Sequence, residues 1–175
     1  MILVPHLRKF ALTAHVASSV GFLGAVAGFL ALAAAGLTSP DAQMVRAAYL
    51  AMEFLTWSVI VPLSFASLLT GLVLALGTSW GLFRHYWVLV KFLLTVFTVL
   101  VLLLQVQPIS YIAASATEAA LSGADLRGIR SSLMTHAAGG LVVLLVTTTL
   151  SVYKPRGMTR YGWRKQHEQR APSQP

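Results

Sequence analysis

A lysine within an apolar run is the first feature that could do chemistry. Lys91 lies about five residues into the third long hydrophobic stretch. Lysine in hydrocarbon is costly unless it faces other helices, water or a bound partner, so we predict that Lys91 marks a functional site. The alternative is that its ammonium reaches the cytoplasmic headgroups, because Lys91 lies near the helix end. Polar and aromatic side chains follow it at helical spacing, in the stripe Arg84, Trp87, Lys91, Thr95, Thr98, Leu102 and Gln105.

Two histidines also lie in apolar runs. Imidazoles in such positions usually line a cavity, bind a ligand or relay protons, so His15 and His136 are candidate cofactor-binding or metal-binding residues. Small residues follow each of them one turn later. They leave room for a flat ligand beside the ring, but they serve plain helix packing equally well. These small residues are Ser18, Ser19, Gly139 and Gly140.

An acid in the second apolar run is the remaining candidate. Glu53 shares a helical stripe with Arg46, which gives it a route to the outer surface. Together with Gln105 of the third run, these residues predict an outer site or a proton path. The alternative is that Glu53 is an interfacial acid paired with Arg46 or His136.

The elements that must position these residues are membrane spans. The 175 residues are 57% hydrophobic and 10% charged, with a mean hydropathy of +0.74, and they contain no cysteine. Four stretches, at about 10–36, 42–76, 86–112 and 127–153, are long enough to cross a bilayer. We therefore predict an all-α, integral membrane, antiparallel four-helix bundle over residues 1–155, with a disordered basic tail at 156–175.

Local signals refine the ends of these helices. Asp41 follows Ser39-Pro40 and is a candidate cap for the second helix. Pro108 is expected to kink or end the third helix. The polar segment from Ser115 to Asp125 is the one connection with room for structure of its own.

The distribution of basic residues predicts the orientation. Arginine and lysine are concentrated at the N-terminus, in the second connection and above all in the tail, so both termini are expected in the cytoplasm. The net charge of +8 comes mostly from these segments. It favours contact with anionic lipid, and no nucleic-acid partner is expected.

This topology sorts the polar residues into two groups by depth. His15 and Lys91 lie near the cytoplasmic edge, with Arg84 and His85 at the edge itself. Glu53 and His136 share an outer level. At the rise of an α-helix, His15 and His136 are separated by very roughly 15 Å along the membrane normal, too far to share one metal ion without helix tilting.

Three short patterns resemble a known family. They are His15 followed by Gly21 or Gly24 in the first span, Leu69-Thr70-Gly71-Leu72 near the end of the second, and Trp87-x-x-x-Lys91 at the start of the third. In a short four-span chain, this combination is similar to the HemJ-type protoporphyrinogen oxidases and the related CopD-like membrane proteins. The resemblance covers about the first three spans.

The resemblance implies a haem b-associated bundle in a bacterial inner membrane. In the nearest members it implies oxidation of protoporphyrinogen IX to protoporphyrin IX. His15 would then be the haem-ligand or active-site histidine, and Lys91 the active-site lysine. The expected small-molecule partner is a porphyrin or a quinone-like molecule.

If the chain binds haem, further residues are candidates for contact with it. Propionates near the cytoplasmic edge would pair with Arg84, Lys91 or Arg8, beside His85 and Trp87 as further cofactor-binding candidates. His85 fits an interfacial belt of basic and aromatic residues equally well. If haem occupied the outer half, His136 would be its ligand and Arg46 or Arg130 the propionate partner.

Two other classes of function stay open. Copper or another ion could be handled at His15 or at an outer site near His136, where Met134 and Met52 are close in sequence to the polar residues. The chain could instead be a structural or accessory subunit. A homodimer is plausible through the face of the first span that carries Gly21, Gly24 and Gly28.

Overall fold

The computed structural model describes residues 4–77, 81–117, 124–155 and 157–170, and this part of the chain is helical. Four long helices, α1 (Pro5–Thr38), α2 (Ala42–Gly77), α3 (Tyr86–Thr117) and α4 (Ala124–Tyr153), are long and apolar enough to cross a membrane. A shorter helix, α5 (Arg160–Arg170), follows in the tail. The all-α, membrane-spanning bundle predicted from the sequence is confirmed.

The helix starts follow from local chemistry. Pro5 occupies the first turn of α1, where its missing N–H costs no helical hydrogen bond. The Asp41 side chain accepts a hydrogen bond from the backbone N–H of Gln43 at 2.9 Å. It therefore caps α2, as the sequence predicts.

Helix α2 contains one π-helical turn, at Thr56–Ile60, where the Val61 N–H bonds the Thr56 carbonyl. Pro62 follows at once. It has no N–H to give to the carbonyl of Ser58 one turn back, and its ring crowds that carbonyl. The widened turn lets the chain pass this point without ending the helix.

Helix α3 does not end at Pro108, which was one of the two outcomes expected there. The helix neither ends there nor at residue 112; it continues to Thr117 with Pro108 inside it. A transmembrane helix tolerates an internal proline because neighbouring turns and side chains satisfy the freed carbonyl. The polar segment predicted at 115–125 is helical at both ends, and residues 118–123 lie outside the described residues.

The four long helices form a ring in which each packs against its two neighbours: α1 against α2 and α4, and α3 against α2 and α4. The core includes the almost fully buried side chains of Phe22, Met52, Ile112 and Leu133. Large apolar side chains also cover the outside of the bundle, as a lipid-facing surface requires. This ring brings side chains from four distant parts of the chain into one interior.

The tail differs from the expected disorder. Its backbone docks on the α2–α3 connection: the Thr159 N–H bonds the Arg84 carbonyl at 3.0 Å, and His85 pairs with Met158 as an antiparallel bridge. The Thr159 hydroxyl donates to the Phe83 carbonyl. These bonds anchor the start of α5, which is why a strongly polar segment is ordered next to the bundle.

Gly162 makes this docking possible, and its replacement is a first test. A Cβ at Gly162 would lie 2.5 Å from the Arg84 carbonyl oxygen, a backbone atom that cannot move aside. We expect Gly162→Ala to release the tail, so that limited trypsin digestion at Arg160, Arg164 and Lys165 becomes faster.

Gly157→Ala is the matched control, because its Cβ would meet only a ring carbon of Tyr86 at 3.8 Å, an ordinary contact. Thermal unfolding of the bundle should be the same in both variants. Equal digestion rates for wild type and Gly162→Ala would contradict the docking.

Candidate functional site

His15 is held in one orientation by α2. Its Nδ1 lies 3.1 Å from the backbone carbonyl of Ser67 and 3.1 Å from the Thr70 hydroxyl. A carbonyl can only accept, so Nδ1 carries the proton and donates it. The neutral ring then presents the lone pair of Nε2 on its other side.

Lys91 of α3 approaches that lone pair. Its Nζ lies 3.5 Å from His15 Nε2 and donates to the Ser151 hydroxyl of α4 at 2.8 Å. The Ser151 hydroxyl gives its own proton to the Thr147 carbonyl, so its oxygen is free to accept from lysine. All four long helices therefore contribute to one polar cluster. It consists of His15 and Lys91, which we call the His15–Lys91 pair, and the hydroxyl residues Ser67, Thr70 and Ser151.

The ammonium of Lys91 is surrounded by neutral partners. Within the described residues, no carboxylate lies at ion-pair distance, and the side chain is largely buried in the bundle. A buried charge without a counter-ion is expensive, and the two hydrogen bonds recover only part of the lost hydration. The cluster is therefore suited to receive an anionic group of a ligand or to exchange a proton.

Small residues of α2 allow the histidine to approach. A Cβ on Gly71 would lie 3.0 Å from His15 Cε1, so a larger residue at this position would press on the ring. Beside it, the hydroxyls of Ser19 and Ser67 are 2.8 Å apart. Both Thr70 and Gly71, the middle of the Leu-Thr-Gly-Leu pattern, thus touch His15.

The other residues predicted at the edge near His15 and Lys91 lie in or beside the α2–α3 connection, or at the start of α1. Arg84 and His85 lie in the connection that receives the tail, and Trp87 lies one helical turn before Lys91. Arg8 is exposed near the start of α1. These residues share an end of the bundle with the His15–Lys91 pair.

The geometry at His15 does not fit haem ligation. Its Nδ1 is bonded to the Ser67 carbonyl, which is typical of a metal-binding histidine, but Lys91 Nζ lies where iron would have to approach Nε2. A cation cannot share that lone pair with a metal. Within the described ranges, no three histidine, aspartate or glutamate side chains group as metal ligands.

The residues expected at the outer level do not form one cluster. His136 donates from Nδ1 to the Ser132 carbonyl of its own helix at 2.7 Å. Glu53 is half-buried on α2 and Arg46 is exposed, and in the described part of the chain Glu53 has no ion-pair or hydrogen-bond partner. Met52 and Met134 pack in or against the apolar core rather than around His136.

Arg130, a candidate propionate partner, has a structural role instead. Its Nε donates to the Tyr49 hydroxyl at 2.6 Å, and its Nη2 donates to the Gly36 carbonyl. The guanidinium also lies 5.3 Å from the centre of the Tyr49 ring. It joins α4 to α2 and to the last turn of α1, so it is already engaged.

The threonines of the polar stripe on α3 make hydrogen bonds within their own helix. The hydroxyls of Thr95 and Thr98 donate to the carbonyls of Lys91 and Leu94, one turn earlier in the same helix. Gln105 instead lines a cavity of about 340 Å³ between α1, α3 and α4, with His136 also in its wall. His15 and Lys91 are not part of that wall.

Sequence reasoning identified His15 and Lys91 but missed Ser67 and Ser151. Serines are common packing residues in membrane helices, so neither stands out without knowledge of the facing helix. In comparisons with protein-family models, curated proteins and solved structures, no match to this chain is found.

Proposed function

We propose that this protein is a membrane redox enzyme that acts on a porphyrinogen-type substrate, with the His15–Lys91 pair as its proton-handling centre. One observation supports the proposal. The three short patterns that carry the family resemblance lie far apart in sequence, yet Thr70, Gly71 and Lys91 all lie against His15. Unrelated packing residues would have no reason to coincide with those patterns.

The chemistry of the pair suits this reaction class. Oxidation of a porphyrinogen releases protons together with electrons, and Nε2 of the neutral His15 can accept a proton. Lys91 has a charge to offer to a substrate carboxylate, since its present partners are neutral. The electrons require an external acceptor, for which a quinone or dioxygen is the natural class in a membrane.

The orientation follows from the charges. We place both termini in the cytoplasm of a bacterial cell, with the His15–Lys91 pair near the cytoplasmic face of the inner membrane. Tyr161 and Trp163 of α5 are exposed beside basic residues, a composition suited to a headgroup layer.

A dimer through α1 is part of the proposal. Gly24 and Gly28 have open space around them, which would allow a second copy to approach closely. Gly21 is already used within the chain, because a Cβ there would meet Leu63 at 3.0 Å.

The direct test is oxidation of protoporphyrinogen IX by the full-length protein in proteoliposomes, followed by porphyrin fluorescence, with a short-chain quinone or dioxygen as the acceptor. We expect a rate above protein-free liposomes that is lost in His15→Gln and kept in His6→Gln, an exposed histidine near the N-terminus. No rate above the liposome background with either acceptor, or equal rates for both variants, would overturn the proposal.

An absorption spectrum of the same preparation, oxidised and reduced, tests the cofactor separately. We expect no haem bound through His15. A Soret band near one haem per chain that disappears in His15→Gln would show that Lys91 leaves Nε2 when haem binds.

A further inference from the structure

The cavity between α1, α3 and α4 has the character of a small-molecule site. Its volume of about 340 Å³ lies in the lower range of pockets that hold small ligands. Aromatic rings of Phe22, Phe29 and Phe97 form part of its wall, and no lysine, arginine, aspartate or glutamate lines it. Such a wall selects an uncharged, largely apolar molecule.

The cavity can be reached from the bilayer. Phe97 is 59% exposed on the outside of the bundle while lining the cavity, and His136 lies at the same rim. Beside them, Gly139 and Gly140 have no atoms within 4 Å of where a Cβ would be. These glycines leave the volume open along α4, where a large side chain would occupy part of it.

Four polar side chains line this apolar space, and two of them, Thr98 and Thr135, donate to carbonyls of their own helices. His136 uses its Nδ1 proton on the Ser132 carbonyl, which leaves Nε2 with a free lone pair. Gln105 lines the cavity, and its amide has no hydrogen-bond partner within the described residues. An amide in an apolar surrounding is stabilised by a ligand that accepts or donates the missing hydrogen bond.

We propose that this cavity binds a neutral, lipid-soluble ring that carries carbonyl groups, of the quinone type. The flat ring fits between phenyl side chains, and the Gln105 amide can donate to a carbonyl oxygen. In the reduced molecule, a ring hydroxyl can donate to His136 Nε2. A lipid acyl chain would use neither polar group, and an anion would meet no cation.

This site goes beyond the function proposed above and does not depend on it. Binding is measured without turnover, so a failure of porphyrinogen oxidation and a failure of quinone binding are separate results.

The experiment measures equilibrium binding of decylubiquinone to the full-length protein in nanodiscs, with dodecanol as a competitor of similar chain length. We expect saturable binding that weakens about tenfold in Gln105→Leu, the loss of one buried hydrogen bond. Gly140→Leu should abolish binding because its side chain occupies the cavity. Gly128→Leu is the matched control, since Gly128 lies on the same helix and is equally open but is outside the cavity wall.

Three results would overturn the proposal. One is the absence of saturable binding to the wild-type protein. Another is unchanged affinity in Gln105→Leu and Gly140→Leu, when thermal unfolding shows that both variants are folded. The third is displacement of the quinone by dodecanol at equal concentration, which would show that the cavity accepts any alkyl chain.

Discussion

Replacing Lys91 by methionine is expected to reduce porphyrinogen oxidation about a hundredfold or more, the usual effect of removing a proton-handling group, while the bundle stays at least as stable as the wild type. Methionine keeps the length and apolar stem of lysine but removes an ammonium that has only neutral partners in the described structure. Because the unpaired charge is costly to bury, its loss should not lower the unfolding temperature. Activity and thermal unfolding in detergent, measured on one preparation, check both halves of this result.

Ser151→Ala is the control for the Lys91 variant. It removes one hydrogen-bond partner of the ammonium but keeps the charge and the contact with His15, so a smaller loss of activity is expected. If Lys91→Met instead lowered the unfolding temperature and kept its activity, the lysine would be a packing residue. The proposed role of the His15–Lys91 pair would then be wrong.

Replacing Arg130 by methionine is expected to destabilise the bundle by about 2–3 kcal/mol, the usual worth of hydrogen bonds to a charged group. Arg130 satisfies the Gly36 carbonyl, one of the last four carbonyls of α1, which have no partner within their own helix. Its positive charge is also favourable at the C-terminal end of that helix. Loss of the side chain leaves this carbonyl and the Tyr49 hydroxyl without their partner. Unfolding by denaturant in mixed micelles measures the change.

Arg127→Met is the matched control, because Arg127 is an exposed arginine one turn earlier in the same helix. It should change stability by less than about 0.5 kcal/mol, as surface substitutions usually do. Tyr49→Phe should cost less than Arg130→Met, and the two losses should not add, since both remove the same hydrogen bond. Equal stability of the Arg130 and Arg127 variants would contradict the structural role of Arg130.

Individual residues show what could be predicted about the site. Lys91 can be predicted from the sequence because an ionisable side chain in contact with lipid costs free energy. A lysine within a span is therefore expected to face the interior of the bundle. Arg130 was placed at the outer level, but its partner could not be found. The partner is a backbone carbonyl of another helix, and any carbonyl in the chain looks the same in sequence.

The order of the tail is a second feature that the sequence does not predict. Its composition, rich in charge and poor in apolar residues, is that of a disordered segment. Its order comes from a close backbone contact at Gly162 and from hydrogen bonds to the α2–α3 connection. These contacts form only because the tail meets the α2–α3 connection, and amino-acid composition does not predict which segments meet.

The sequence by itself determined the membrane-spanning character, the number and approximate ends of the long helices, and the cap at Asp41. These properties depend on local hydrophobicity and on backbone hydrogen bonds within one segment, so neighbouring residues are sufficient to specify them. Only the tertiary structure decided that Nε2 of His15 faces Lys91, that Ser67 and Ser151 complete the cluster, and that Gln105 and His136 line a cavity. Those facts depend on how each of the four helices is rotated about its own axis. Because apolar residues lie on all sides of each helix, the sequence pattern does not show which side faces the interior until the helices pack.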